Sequence, residues 1–191
     1  MVGEAFENRI RAWLARQVTD TDRVLELGCG TGIFSAMIAE RAKHLTATDF
    51  SARMLEQATR RLAGYENVGI QTEDACHTSF PDDSFSAVLT VNLLHHAHAP
   101  ATVVQECWRV LVPGGRLVVI DCAGHGFPLW SWIKRSLGNL RRQPLEDHHH
   151  FSPDDLAVLL ADAGLAVQEK TLIRQRRPPM KLICLCANKA D

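Results

Sequence analysis

Three carboxylates and an amide stand at the ends of short apolar runs, where hydrogen-bonding groups can meet a ligand. Glu26 closes on a glycine-rich stretch, Gly28-Cys29-Gly30-Thr31-Gly32, and Asp49, Asp74 and Asn92 each follow a run of strand-like composition. Glycine lets the chain turn tightly and lets a ligand press against main-chain N–H groups. The helical pattern from Phe34 to Ala42 presents its positive end to the same place. Residues 24–35 therefore read as a cradle for a nucleotide-type cofactor. The dinucleotide fingerprint G-x-G-x-x-G would need a third glycine where Ile33 stands, so a dehydrogenase reading is weakened. Asp49 lies 21 residues after Gly28, where an acidic side chain can accept both hydroxyls of a ribose. Asp74 can accept from an exocyclic amine, with the Ala75 N–H beside it. Phe50 and Met54 can sandwich a flat base, although Met54 reads equally well as core.

Histidines supply the second chemistry. His95, His96 and His98 follow the run that ends at Asn92, and His148, His149 and His150 form an internal run. Imidazole ionises near neutral pH, which suits a general base, a role worth ~10²–10⁴-fold in rate. His96 is the preferred base and His95 the second candidate, against the alternative of capping or loop histidines. Three consecutive histidines cannot all face one ion without strain, and no Cys/His partner spacing stands nearby, so no metal is expected.

These residues need a scaffold that alternates helix and strand. Phe6, Ile10, Trp13, Leu14 and Val18 form a helical apolar face over residues 4–18. Strands are expected at residues 24–27, 44–48, 68–72, 85–91, 116–121, 165–173 and 180–187. Helices are expected at 34–42, from Ser51 to Gly64, at 100–111, and at 153–163 under a Ser152 cap. The final two strands share a short loop containing Pro178-Pro179 and must be antiparallel. The expected architecture is α/β: a Rossmann-like, doubly wound, mostly parallel sheet with an antiparallel last strand and helices on both faces. Ligands in such sheets bind outside the carboxyl ends of the strands.

Composition bounds the partners. The 191 residues suit one domain, 1–191, and the net charge of −1 gives no pull toward nucleic acid. No stretch reads as a signal peptide or a membrane span, and the six cysteines lack C-x-x-C spacing, so free thiols in a cytoplasmic protein are expected. The segment 124–147 reads as a lid insertion after the fifth strand. Trp130, Ile133, Leu137 and Leu140 share one helical face there, beside Lys134, Arg135, Arg141 and Arg142. An aromatic, cationic lid suits an apolar or anionic acceptor, or peripheral membrane contact through 127–142; the alternative is a helix packed on the domain with a solvated basic face. Nothing in the pattern specifies an oligomer.

The run from Glu26 to Gly32 resembles motif I of the class I S-adenosylmethionine (SAM) methyltransferases, in particular those acting on small molecules. Further matches are Thr48-Asp49-Phe50-Ser51, Glu73-Asp74-Ala75, Phe80-Pro81-Asp82-Asp83-Ser84-Phe85, Leu93-Leu94-His95-His96, Arg109-Val110-Leu111 to Gly115, and His150-Phe151-Ser152-Pro153 to Leu165. The resemblance spans nearly the whole chain. It implies that Glu26, Gly28 and Gly30 hold the methionine part, that Asp49 holds the ribose and that Asp74 and Ala75 hold the adenine; Cys29, between the two glycines, is counted with the cofactor-binding residues. Asn92 would form the back of the methionine site. The implied activity moves the SAM methyl group to an O or C atom of a small acceptor, releasing S-adenosylhomocysteine (SAH). The alternative is a SAM- or SAH-binding sensor or partner subunit without transferase activity. Asn92-Leu93-Leu94-His95 stands where enzymes that methylate base nitrogens or glutamine amides carry Asn/Asp-Pro-Pro-Tyr, which disfavours those substrates.

Overall fold

A computed structural model describes residues 4–123, 149–176 and 179–190. The candidate lid, 124–147, lies outside the described residues, as does His148. Seven strands form one sheet: β1 (Arg23–Leu27), β2 (His44–Asp49), β3 (Val68–Thr72), β4 (Phe85–Val91), β5 (Leu111–Cys122), β6 (Leu165–Arg176) and β7 (Pro179–Lys189). Their order is β3-β2-β1-β4-β5-β7-β6, and β7 runs antiparallel to both neighbours. The helices are α1 (Glu4–Gln17), α2 (Ile33–Ala39), α3 (Ala52–Leu62), α4 (Pro100–Val110) and α5 (Pro153–Asp162), with a 3₁₀ turn at Leu94–His96. This is the expected Rossmann-like arrangement.

The sheet divides the apolar residues between two faces. Phe6, Ile10 and Trp13 of α1, with Met37, Ile38, Leu55 and Leu62 of α2 and α3, pack on one face. Val103, Cys107, Leu156 and Leu160 of α4 and α5 pack on the other. Strand β1 is buried over Val24–Leu27, as a central parallel strand must be. Its neighbours β2 and β4 lie on opposite sides, so the chain order switches direction at β1 and β4. That switch leaves a crevice at the carboxyl ends of the strands. Register puts Leu27 beside Thr48 on one side and Thr90 on the other, so the residues that follow, Gly28, Asp49 and Asn92, share one edge.

Several boundaries differ from the sequence reading. Helix α2 spans Ile33–Ala39 rather than 34–42, entered through Gly32 in the left-handed region at φ 75°. Strand β5 begins at Leu111, not Arg116: Phe85 pairs with Leu111 and Ala87 with Arg116, and Pro113-Gly114-Gly115 is absorbed in the resulting bulge. Strands β6 and β7 extend to Arg176 and from Pro179, because an antiparallel pair keeps its ladder to the turn. The Ser152 cap forms as a reciprocal pair, Ser152 accepting from the Asp155 N–H and Asp155 accepting from the Ser152 N–H. At α3, Ser51 occupies the cap position but makes no side-chain cap bond.

Candidate functional site

The glycine loop is built from three left-handed residues with different duties. Gly28, Gly30 and Gly32 have φ of 71°, 55° and 75°. A Cβ on Gly28 would stand 2.8 Å from Leu93 Cδ1, and one on Gly32 would stand 3.2 Å from Ala58 Cα. Those two glycines permit close packing within the protein. A Cβ on Gly30 would meet nothing within 4 Å, so its open face is the one a ligand can approach.

Asp49 fastens the cradle. Its Oδ2 accepts from the Gly30 N–H at 2.9 Å and its Oδ1 from the Ser51 N–H at 2.8 Å. The Cys29 N–H donates to Thr48 O at 2.8 Å, which carries the β1–β2 ladder into the loop. Glu26 lies beneath, 1% exposed, and accepts from Ser35 Oγ at 2.5 Å. Burial, reinforced by the Asp49 charge, pushes its carboxyl up to about 7. Cys29 is buried in the loop, and that burial, with the charges of Glu26 and Asp49, pushes its thiol up strongly. A buried carboxylate with one hydroxyl partner suits a cationic ligand group, so the donor set fits the α-ammonium end of SAM. Phe50, 79% exposed, stands beside Asp49 at the mouth, while Met54 is half-buried.

Asp74 is exposed at the end of β3, where its Oδ1 accepts from the Cys76 N–H at 2.9 Å and Ala75 is half-buried. A clamp missed in the sequence holds this loop. Glu106 of α4, buried, accepts from the Thr78 N–H at 2.8 Å and from Arg109 Nη2 at 2.6 Å, and Arg109 reaches Asp82 at 2.6 Å. The Glu106/Arg109 spacing of i,i+3 on one helix was the available signal.

Beyond the switch point lies the second half of the site. Asn92 sits in the left-handed region at φ 52°, its N–H donating to Ile120 O at 2.7 Å and its Oδ1 accepting from Cys122 Sγ at 3.2 Å. His95 Nδ1 hydrogen-bonds the carboxylate of Asp121, which is fully buried. Asp121 also accepts from the His95 N–H at 3.2 Å and the Cys122 N–H at 2.6 Å. Sequence reasoning missed Asp121. His96 is exposed, its ring centroid 3.8 Å from that of His95, and His98 is exposed as well. The donor atoms of His95, Asp121 and Cys122 lie within 4.8 Å of one another, a spacing that could hold a metal ion. In this structure His95 and Asp121 face each other instead, and Cys122 faces Asn92; burial and the Asp121 charge push the Cys122 thiol up to about 12.

Comparisons with known proteins bear on the family and the fold. Residues 25–119 match a family model described as a methyltransferase domain. Over 108 residues the chain is 42% identical to a demethylmenaquinone methyltransferase of Clavibacter sepedonicus, covering 56% of this chain and 44% of that protein. Over 171 residues it is 30% identical to a ubiquinone biosynthesis O-methyltransferase of Xylella fastidiosa, covering 80% of this chain and 64% of that protein. The chain thus spans about half to two thirds of the length of these relatives. The solved YcgJ protein of Bacillus subtilis shares the fold, with a TM-score of 0.75 at 20% identity over 96% of this chain and 99% of that one. On its motifs, its fold and these matches, the chain belongs to the class I SAM-dependent methyltransferases.

Proposed function

We propose that the protein transfers a methyl group from SAM to an oxygen or carbon atom of a small phenolic acceptor of the quinol type, with His95 as the general base. The single observation that carries the catalytic part is the His95–Asp121 pair at the carboxyl ends of β4 and β5, next to the glycine cradle. The acceptor class rests on the relatives, which are named for work on menaquinone and ubiquinone precursors.

Gly30 and Asp49 would hold the ribose side, Asp74 and Ala75 the adenine, and Glu26 the ammonium group, with Cys29 and Asn92 lining the methionine part. Phe50 would cover the base, with Met54 behind it. When bound, SAM supplies an activated methyl group and leaves as SAH. The protein's own work is alignment and proton removal. Nδ1–H of His95 donates to Asp121, which leaves Nε2 as the basic nitrogen. Nε2 takes the proton of the acceptor O–H or C–H, and the buried Asp121 carboxylate offsets the imidazolium charge that results. His96, preferred from sequence, is exposed, whereas the His95 ring is held against the fully buried Asp121, so His95 takes the base role in this reading.

The test is SAH release from a panel of phenols and hydroquinones with three forms of the protein. His95→Ala is expected to lower kcat by ~10²–10⁴-fold with SAH affinity unchanged, while His96→Ala costs less than tenfold. Full activity in His95→Ala would remove it from the base role. SAM binding without turnover on any acceptor would favour the sensor or partner-subunit alternative.

A further inference from the structure

Methyl transfer does not use all the donor atoms gathered around His95. Asn92 follows β4, His95 lies on the 3₁₀ turn after it, and Asp121 and Cys122 end the neighbouring strand β5. Consecutive residues of a strand point to opposite faces, yet the Asp121 carboxylate curls toward Cys122 and accepts from its N–H at 2.6 Å. Asn92 takes the left-handed backbone, uncommon outside glycine, and accepts from Cys122 Sγ at 3.2 Å. As a result one donor atom each from His95, Asp121 and Cys122 lie within 4.8 Å of one another. Among the described residues, this is the one group of three such donors.

Imidazole nitrogen, carboxylate oxygen and thiolate sulfur are the ligand types of zinc, at bond lengths of about 2.0–2.3 Å. Three such ligands and a water in a tetrahedron leave about 3.3–3.8 Å between donor atoms, so side-chain shifts of about an ångström close this set. The sulfur sets the metal class, because magnesium and calcium take oxygen ligands whereas zinc takes thiolate. Of the six cysteines, Cys76 and Cys122 alone are not buried, so Cys122 keeps an open side for an arriving ion. We propose that His95, Asp121 and Cys122 bind a zinc-type divalent cation, and that the cation switches the base off. Binding breaks the Cys122 S–H bond, forms a metal–sulfur bond and releases the thiol proton to solvent. Asn92 can turn its amide and donate to the thiolate. With the cation on Nδ1, the neutral ring carries its proton on Nε2, where it can donate but no longer accept. One donor set thus holds either a proton or a cation. The switching rests on the methyl-transfer reading above; the cation site does not.

Cobalt(II), a spectroscopic substitute for zinc, reads the site without turnover. Titration of the full chain with Co²⁺ is expected to raise a near-ultraviolet thiolate-to-cobalt band that saturates at one equivalent and is displaced by Zn²⁺. Cys122→Ser is expected to lose the band and to bind Zn²⁺ at least about tenfold more weakly, since even the outer partners of a metal are worth ~10–100-fold in affinity. Cys76→Ser keeps both. The histidine run at 148–150 carries no sulfur and cannot produce the band. No band in the wild type, or a band that survives in Cys122→Ser, would overturn the site. The switch is read separately, as methyl transfer to 1,4-naphthohydroquinone with and without one equivalent of Zn²⁺. Inhibition of at least about tenfold is expected in the wild type and of less than about twofold in Cys122→Ser. SAH affinity is measured alongside as a check on folding. Transfer that continues with the site filled, or inhibition that persists in Cys122→Ser, would overturn the switch. A chain that shows the cobalt band and binds SAM but methylates no phenol would overturn the quinol-type reading and leave the cation site standing.

Discussion

Glu26 shows how a single residue couples the cradle to pH. Its carboxyl is fully enclosed with one hydroxyl donor, so burial makes the charged form costly and raises its pKa from 4.5 to about 7. Below about pH 4.5 the group is protonated in folded and unfolded chains alike, and it costs the fold nothing. As pH rises toward 7 the unfolded chain loses the proton first, so stability falls across that window and levels off above it. A ligand ammonium group reverses the sign, because it favours the carboxylate. SAH affinity is therefore expected to rise about tenfold between pH 6 and pH 8, with release of a proton on binding near pH 6. Titration calorimetry in two buffers of different ionisation enthalpy would count that proton. Glu26→Gln should bind more weakly with a flat pH profile; a flat profile in the wild type would contradict the assignment. At this scale the sequence was partly legible. Asp49 could be placed by its distance from Gly28, because both follow adjacent strands of one β-α-β unit. Asp121 could not be matched to His95, 26 residues away, since only the β4–β5 register, Val91 beside Ile120, brings the two strand ends together.

Elements were legible in type and order because each carries its own periodicity, but their ends depend on partners the sequence does not display. Helix α2 stops at Ala39 although the apolar pattern continues to Ala42, and β5 starts early because Phe85 accepts Leu111 as a partner. The way α1 is held was also hidden. Glu169 of β6 accepts from Trp13 Nε1 at 2.8 Å and from Gln17 Nε2 at 2.8 Å, with Arg16 at 3.1 Å. Burial would raise the Glu169 carboxyl, but these bonds outweigh it and hold it below the ordinary glutamate range. The exposed Arg16 contact contributes little. The Trp13 bond contributes more, because the ring is 2% exposed and its N–H would be left unanswered. Glu169→Ala is expected to destabilise the fold by ~1–3 kcal/mol in urea unfolding, whereas Arg16→Ala should cost under ~1 kcal/mol. Equal costs would mean that the exposed ion pair, and not the indole bond, secures the helix.

At the scale of the whole molecule, the sheet order does the assembling. With β2 and β4 on opposite sides of β1, the switch point opens between the glycine loop and the Asn92–His96 turn. The proposed cofactor residues thus come from the ends of β1, β2, β3 and β4, and the proposed base stands on the turn after β4, against Asp121 of β5. Among the described residues no helix is long and apolar enough to cross a membrane. The lid and membrane-contact expectations for 124–147 fall outside the described residues. Whether this crevice takes SAM is tested by isothermal titration of the full chain with SAM, SAH and NAD. Micromolar binding of SAM and SAH and none of NAD is expected. Binding of NAD alone, or of none of the three, would contradict it.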